Sequence, residues 1–328
     1  MKQLAVDALN LRADARGMGR LVRGMLPELA AQFAVTLLVR RRDDARALAP
    51  SLPATVAFAP PRSAAVRRRY DAVWCPWNGL RFRSAAPVLV TICDDFAFRF
   101  PARGAIARLR EQGPIRRALR DAAAVVTISA WSRDALAARF GLDPARIDVL
   151  PLAPDPFFFP APETAPVAEP FVLVVGGNEE RKNLRFFADA FAAAFPHREA
   201  TLVVAGGPDH PVDDEALRRL YRTARAVAVP SLAEGFGLVA AEAQACGAAV
   251  IAADASALPE AVGEAALLVA PDDRAGWIDA LRTVVGDDAL NARLRAAGVA
   301  RWSFAPRTAA AKALAARLQR LIDERAQS

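Results

Sequence analysis

The chain has 328 residues, 54% of them hydrophobic, and a formal net charge of +7 at pH 7. That length suits two domains of roughly 150 residues each rather than one small core. No uninterrupted apolar run reaches the roughly 18 residues of a membrane span, so a soluble chain is expected. The opening Met1-Lys-Gln-Leu-Ala-Val-Asp7 enters a strand-like segment over residues 3–9. It lacks the charged region, apolar region and cleavage site of a secretory signal, so a cytoplasmic location is expected. Leu11–Arg20 reads as a loop, with Gly17-Met-Gly-Arg20 opening a helix through about Ala31. Glycines between a strand and a helix suit either a phosphate cradle or an ordinary turn.

Val35–Val39, Thr55–Phe58, Ala72–Trp74, Val88–Ile92, Ala124–Ile128 and Ile147–Leu150 are short β-rich runs separated by helical or loop segments. That alternation predicts α/β architecture with a mostly parallel, doubly wound sheet. Ser132 begins a helix through about Phe140, ended by Gly141. Arg40–Arg42 and Arg67–Arg69 are the densest basic runs, without a zinc-finger, RRM or KH signature, so no nucleic-acid partner is expected. Such runs are ordinarily solvated surface; the other reading is docking on anionic phospholipid. Cys75, Cys93 and Cys246 form neither a CxxC pair nor a disulfide framework, which fits a reducing compartment, and two histidines exclude a histidine-rich metal site.

Pro151 to Pro170 contains seven prolines and little periodicity. It divides the chain into an N-terminal domain over 1–160, a linker over 161–170 and a C-terminal domain over 171–305, with a final helical segment over 306–328. Phe171–Val175 is a continuous apolar strand ending in Gly176-Gly-Asn-Glu-Glu-Arg-Lys-Asn183, where Asn183 is placed to cap a helix through about Phe195. Arg181 and Lys182 oppose the dipole of that helix unless an anion neutralises them. Lysine occurs otherwise only as Lys2 and Lys312, which makes Lys182 conspicuous. Strands follow at Thr201–Ala205, Ala226–Val229 and Ala249–Ala252, and helices near Arg274–Val285, Ala289–Ala297 and Arg307–Ile322.

The most informative stretch is Val229-Pro-Ser-Leu-Ala-Glu-Gly-Phe-Gly-Leu-Val-Ala-Ala-Glu-Ala-Gln-Ala-Cys-Gly247. It reads as a strand end, a glycine-bracketed turn holding Glu234, and a helix carrying Glu242. Gly235 and Gly237 let the backbone approach a ligand closely, and the helix start aims unpaired N–H groups at the turn, an anion site. Ionised carboxylates accept hydrogen bonds without donating, which suits hydroxyl-rich ligands. A phosphate beside polyols describes a nucleotide sugar, although each glutamate alone could be an ordinary helix-start or surface residue.

Pro230-Ser-x-x-Glu-Gly-Phe-Gly-Leu238, Glu242-Ala-x-Ala-Cys-Gly247 and Ala257-Leu-Pro-Glu260 together resemble the signature of the retaining GT-B glycosyltransferases of family 4, the group 1 transferases. The resemblance implies two Rossmann-like doubly wound domains facing across a cleft, with the final helix bracing the N-terminal domain. It assigns Glu234, with Gly235 and Phe236, to the donor sugar, makes Glu234 a catalytic candidate as well, and assigns Glu242 to the donor ribose. Arg181, Lys182, Gly17, Gly19, Gly237 and Leu238 fall to the donor diphosphate. No metal is expected, because these cations and the helix dipole would neutralise the diphosphate and no Asp-x-Asp sequence occurs. No cofactor is expected either, the nucleotide sugar, of GDP-mannose or UDP-glucose type, being a substrate.

Two departures accompany the resemblance. Relatives carry His where Cys93 stands in Val90-Thr-Ile-Cys-Asp-Asp95, so Asp94 or Asp95 is expected to cover part of a donor-sugar role, with Asp94 as the catalytic candidate. Between Ala205 and Val212 only Gly206–Pro211 replaces the helix and strand that in relatives help wall the nucleotide base, which predicts a shortened C-terminal domain. The expected function is retaining transfer of a hexose, mannose favoured, to a glycan or lipid-linked acceptor in surface polysaccharide or lipopolysaccharide assembly. Such a protein would sit at the inner face of the plasma membrane. A non-catalytic remnant serving as a partner subunit and a sugar-nucleotide epimerase are the alternatives.

Overall fold

The computed structural model describes residues 1–14, 17–53, 55–60, 70–161, 169–207, 209–303 and 308–327. In chain order the first part contains β1 (Gln3–Asp7), α1 (Met18–Gln32), β2 (Ala34–Leu38), α2 (Arg42–Leu48), β3 (Ala57–Ala59), β4 (Ala72–Cys75), β5 (Val88–Thr91), α3 (Phe96–Arg99), α4 (Ala105–Asp121), β6 (Ala124–Thr127), α5 (Ala130–Phe140) and β7 (Ile147–Val149). There follow β8 (Phe171–Val175), α6 (Leu184–Ala194), β9 (Thr201–Ala205), α7 (Asp214–Thr223), β10 (Ala226–Val229), α8 (Leu238–Ala245) and β11 (Val250–Ala253). The chain ends with α9 (Leu258–Val262), β12 (Leu267–Val269), α10 (Arg274–Gly286), α11 (Asp288–Ser303) and α12 (Ala309–Ala326).

Two compact units result, one of Met1–Leu152 with Thr308–Ser328 and one of Ala153–Arg307. The division falls at residue 152 and not at 160. The reason is aromatic: Phe158 is buried against Tyr221, while Arg218 and Arg222 lie over the rings of Phe157 and Phe159 and donate to their carbonyls. These contacts fasten the start of the proline-rich segment to α7. Most of the predicted linker, and the Arg67–Arg69 run, lie outside the described residues.

The first unit holds a seven-stranded sheet in the order β3-β2-β1-β4-β5-β6-β7, parallel throughout. Its central strands are apolar on both faces, as parallel strands covered by helices require. The order reverses between β1 and β4, the place where open α/β sheets leave a crevice beyond the strand ends. The C-terminal helix α12 packs on α1 and β4, with Leu314, Leu318 and Ile322 turned inward.

The second unit repeats this plan with five strands in place of seven, one fewer at each side, in the order β12-β11-β10-β8-β9. β9 is the edge, and after it the chain makes only a single antiparallel bridge from Gly206 to His210 before α7. Nothing among the described residues corresponds to the outer β3 of the first sheet. The core centres on Trp277, Phe187, Tyr221 and Val250–Ala253, with Phe187 edge-on to Trp277 at 5.4 Å. Burying each large side chain contributes about 1.5–3 kcal/mol. The alanines of α8 let α11 lie close, where a Cβ on Gly298 would stand 3.1 Å from that of Gln244. Gln244 is then fixed on three sides, accepting from Trp302 Nε1 and donating to the carbonyls of Val262 and Ala265.

Several local expectations change. α5 is capped by Ser129, whose Oγ accepts from the Ser132 N–H at 3.0 Å, so the helix starts two residues before Ser132. Asn183 adopts a left-handed conformation and makes no side-chain cap to α6; its Nδ2 donates instead to the Pro271 carbonyl at 3.0 Å.

Leu318→Ala should remove about 2–5 kcal/mol from the first unit. Amide exchange is expected to quicken in peptides from β1, β4 and α1 while β8, β10 and α8 keep their rates. Quickening confined to the second unit would break the assignment of α12.

Candidate functional site

In the second unit three strand-to-helix loops meet at the carboxyl ends of β8, β9 and β10. Gly207, at φ +69°, comes so close to the first loop that a Cβ there would stand 2.7 Å from Gly177 Cα. Gly176 leaves room for the Lys182 stem at 3.3 Å from its missing Cβ. Residues 180–182 form a short 3-10 turn, and this turn, not α6 itself, carries Arg181 and Lys182.

Both cations point at Glu234. Lys182 Nζ donates to Glu234 Oε1 at 2.7 Å and Arg181 NH1 reaches Oε2 at 3.4 Å. Ser231 Oγ adds a third donor to Oε1 at 2.8 Å. The backbone is tied as well: the Leu232 N–H donates to the Arg181 carbonyl at 2.7 Å, and the Glu234 N–H donates to Ser256 Oγ at 2.8 Å. Burial pushes the Glu234 carboxyl up. The charge of Lys182, then that of Arg181, with the hydrogen bonds from Lys182 and Ser231, outweighs burial and holds it below the ordinary glutamate range. The positive charges at the helix start, which an external anion was expected to neutralise, are met here by the protein's own carboxylate.

Gly237 caps α8 at φ +110°, and a Cβ there would meet Leu258 Cδ2 at 2.9 Å and Ala261 at 3.3 Å. Only glycine lets α9 close over this turn, and the turn leaves the first N–H groups of α8, among them that of Leu238, without intrahelical acceptors. Phe236, assigned to the donor sugar, is buried with its ring on Trp302 at 6.4 Å, so its side chain belongs to the packing under the turn. Glu242 is 5% exposed on α8, with Tyr221 Oη donating to Oε2 at a long 3.4 Å. Glu234 and Glu242 thus extend from the same turn-and-helix element, one ion-paired and one under a tyrosine.

In the first unit, Gly17 is the left-handed residue before α1, at φ +55° and exposed. Gly19 is buried with the Asp14 carbonyl where its side chain would be, and Arg23 holds that loop by donating to the carbonyls of Asp14 and Leu11. Gly19 therefore serves close packing of the loop on α1. Asp95 is fully buried between Arg99 and Arg139, at 2.8 and 2.7 Å. That structural role leaves Asp94, half-buried, with Oδ1 accepting from the Phe96 N–H at 3.1 Å. Cys93 is buried, its N–H donating to Asn78 Oδ1 and its carbonyl accepting from Ser132 Oγ. Burial pushes its thiol upward, with the Asp94 charge adding to the effect, so it stays a neutral thiol.

Sequence reasoning gave no role to Ser231, Ser256, Tyr221 or Asn78. Ser231 lay inside the quoted motif and was readable as a hydroxyl beside Glu234; Ser256 and Asn78 are left-handed at φ +53° and +45°, which one sequence does not reveal. Asp7 was missed too. It ends β1 at the strand-order reversal, fully buried, with Oδ1 accepting from Leu9 N–H and Oδ2 without a hydrogen-bond partner among the described residues. Burial raises its pKa against the opposing Leu9 hydrogen bond and the charges of Arg81 and Arg40.

A family model described as "Glycosyltransferase Family 4" matches residues 15–156, and one described as "Glycosyl transferases group 1" matches residues 169–287. The chain belongs to the family 4, group 1 glycosyltransferases. A D-inositol 3-phosphate glycosyltransferase of Corynebacterium jeikeium (strain K411) is 44% identical to this family member over 119 residues, 35% of this chain and 27% of that protein. Across the curated relatives the matched stretch spans from 19% to 47% of their length. Among solved structures, sucrose-phosphate synthase from Thermosynechococcus elongatus superposes with a TM-score of 0.79 at 21% identity, over 99% of this chain and 100% of that one. Anabaena HepE in complex with UDP-glucose gives 0.72 at 14% identity, over 99% and 100%. The fold of this family member is GT-B, with two Rossmann-like units.

Replacing Lys182 by methionine should cost stability, by about 1–3 kcal/mol at neutral pH. The sign follows from Glu234. Its lowered pKa stabilises the fold above the ordinary glutamate value of 4.5, and this is lost as pH falls through the lower folded value. Without Lys182 burial gains weight and the carboxyl rises. The stability gap between wild type and variant should therefore widen from pH 4 to pH 7 in thermal melts; a gap independent of pH would show that Glu234 is not held by Lys182.

Proposed function

We propose that this chain moves a hexosyl group from a nucleoside diphosphate hexose to a hydroxyl of a glycan or lipid-linked saccharide, with retention at the anomeric carbon. The observation that carries this reading is the convergence of Lys182 and Arg181 on Glu234 beside the open N-terminus of α8. A diphosphate is the ligand able to compete for both cations and for the N–H groups of Gly237 and Leu238. Its arrival would free the Glu234 carboxylate to accept hydrogen bonds from sugar hydroxyls. Glu242 would accept from the ribose once the long bond from Tyr221 gives way. Asp94 would supply in the first unit a carboxylate beside the position where relatives carry His.

Chemically, the bond between the anomeric carbon and the diphosphate oxygen breaks, and the departing oxygen takes up negative charge. Cations and amides already aimed at it lower the barrier without reorganising and without calling on a metal ion. The acceptor hydroxyl then adds on the same face and gives its proton to the leaving phosphate. Mannose as the sugar, in surface polysaccharide or lipopolysaccharide assembly at the inner face of the plasma membrane, is supported by the resemblance of Gly176-Gly-Asn-x-x-Arg-Lys-Asn183 to mannosyltransferases. A uridine diphosphate glucose donor is supported by the ligand named for HepE. A partner subunit without turnover is favoured by Cys93 and by the short second sheet, whose edge lacks the strand that would wall the base.

Calorimetric titration with GDP, UDP and their mannose and glucose conjugates, with and without magnesium, separates these readings. One nucleotide sugar is expected to bind without metal and to be consumed when acceptor is present; no binding would defeat the transferase reading. Lys182→Ala should weaken donor affinity by about 1.5–3 kcal/mol, the range for charge-assisted hydrogen bonds. Glu242→Gln should weaken binding of the bare nucleotide, whereas Glu234→Gln should lower turnover more than nucleotide affinity; the reverse pattern would exchange their roles.

A further inference from the structure

Helix α4 is only half seated. Its second half is anchored by buried Ile115 and Ala118 and by the Leu80 N–H donating to the Pro114 carbonyl. Its first half stands out, held by Gln112 Nε2 donating to the Ala97 carbonyl. Ile106 is 70% and Leu109 73% exposed, values that among large apolar side chains in the described residues only Met1 exceeds. Positions 106, 109, 110, 113, 116, 117 and 120 recur at intervals of three and four, so they share one face of the helix. That face reads Ile106, Leu109, Arg110, Gly113, Arg116, Arg117 and Arg120, with Arg103 just ahead of its outer end, whereas Arg108 stands on the side of Ile115.

Only part of the charge on this face is answered from within the described residues, where Asp121 is the acid near Arg117 and Arg120. Arg120 is paired with Asp121 at 2.6 Å and Arg116 lies over the Phe98 ring. Arg103, Arg108, Arg110 and Arg117 enter no ion pair among the described residues, and the helix adds only Glu111 as a further acid. By contrast, the Arg40–Arg42 run leads into α2, where Asp43 and Asp44 follow at once and no large apolar side chain is exposed. Two apolar tips inside a collar of long guanidinium side chains fit the boundary of a lipid headgroup layer. There the stems bury and the charged ends reach phosphate. No described helix is long and apolar enough to cross a membrane, so such a helix would lie in the surface plane.

We propose that the outer half of α4 docks this chain on an anionic phospholipid surface, with Ile106 and Leu109 entering the headgroup boundary and Arg103, Arg110 and Arg117 pairing with lipid phosphates. The position matters for function. α4 follows the loop that leaves the carboxyl end of β5, so its outer end lies at the edge of the sheet that bears Asp94. A lipid-linked acceptor, the class this extension of the proposed function requires, would meet that edge without leaving the bilayer.

Co-sedimentation of the full chain with vesicles tests this without donor or acceptor. Wild type should pellet with vesicles of phosphatidylglycerol in phosphatidylcholine, not with pure phosphatidylcholine, and added salt should release it. The Ile106→Ser/Leu109→Ser and Arg110→Glu/Arg117→Glu variants should each lose about ten-fold in partition at an unchanged melting temperature. Arg40→Glu/Arg41→Glu should bind as wild type. The proposal is overturned if wild type stays in solution or if the serine variant pellets as wild type does. It is also overturned if light scattering shows that the serine variant merely splits a self-associated species, which would make a second copy the occupant. Donor affinity should be the same in every variant. Absence of vesicle binding in wild type with intact donor binding would thus fail this inference alone, and absence of donor binding in wild type with intact vesicle binding would fail the transferase reading alone.

Discussion

A single carboxylate between two cations organises the second unit. Arg181 and Lys182 lie just ahead of α6, where their charges oppose the helix dipole, and Glu234 lies in a turn from which water is largely removed. Apart, each would be unfavourable; together, with Ser231 and the Leu232-to-Arg181 backbone bond, they tie the loop after β8 to the loop after β10. Removing one partner of such a pair leaves a buried charge behind, which is why the arrangement is kept even where its net contribution is modest. In the proposed function a ligand diphosphate takes both cations and the Glu234 carboxylate turns to the hydroxyls of the sugar.

Around that pair, the approach of the loops is controlled by absent side chains. Gly207 against Gly177, Gly176 against the Lys182 stem, and Gly237 against Leu258 each occupy space a Cβ would need. The parallel sheet delivers these loops to one edge because every strand runs the same way, and among the described residues β9 is the outermost strand on the side where the first sheet continues to β3. The first unit uses a comparable edge differently. Asp95 is spent on two arginines, Cys93 is a buried neutral thiol, and Asp94 is the carboxylate left at the surface of that edge.

The C-terminal helix and α4 show how far tertiary packing rearranges sequence neighbours. α12 follows the second unit in sequence but buries Leu314, Leu318 and Ile322 in the first, where α1 offers the matching apolar stripe. In α4 the packing does the opposite and leaves Ile106 and Leu109 uncovered, because Pro114 and Gln112 seat the helix by its inner half.

Much of the fold was legible in the sequence. Apolar β-branched runs of four or five residues, separated by helical stretches, specify parallel strands, and the strands from β1 to β11 lie within a residue or two of where that pattern puts them, whereas β12 was not foreseen. The signature from Pro230 to Gly247, with Arg181 and Lys182, located the candidate site because glycines, cations and carboxylates at fixed spacing have few other uses. What the sequence could not decide was which partner each polar side chain would take. Glu234 pairing with Lys182, Asn183 turning to Pro271, Asp95 being consumed by Arg139, Phe236 packing on Trp302 and Gly19 yielding its space to Asp14 all depend on contacts between segments far apart in the chain or on backbone torsions. Local periodicity fixes which elements form, since it is set by neighbours along the chain; partner choice belongs to the folded structure, because only there are the competing donors, acceptors and free volumes brought within a few ångströms of one another.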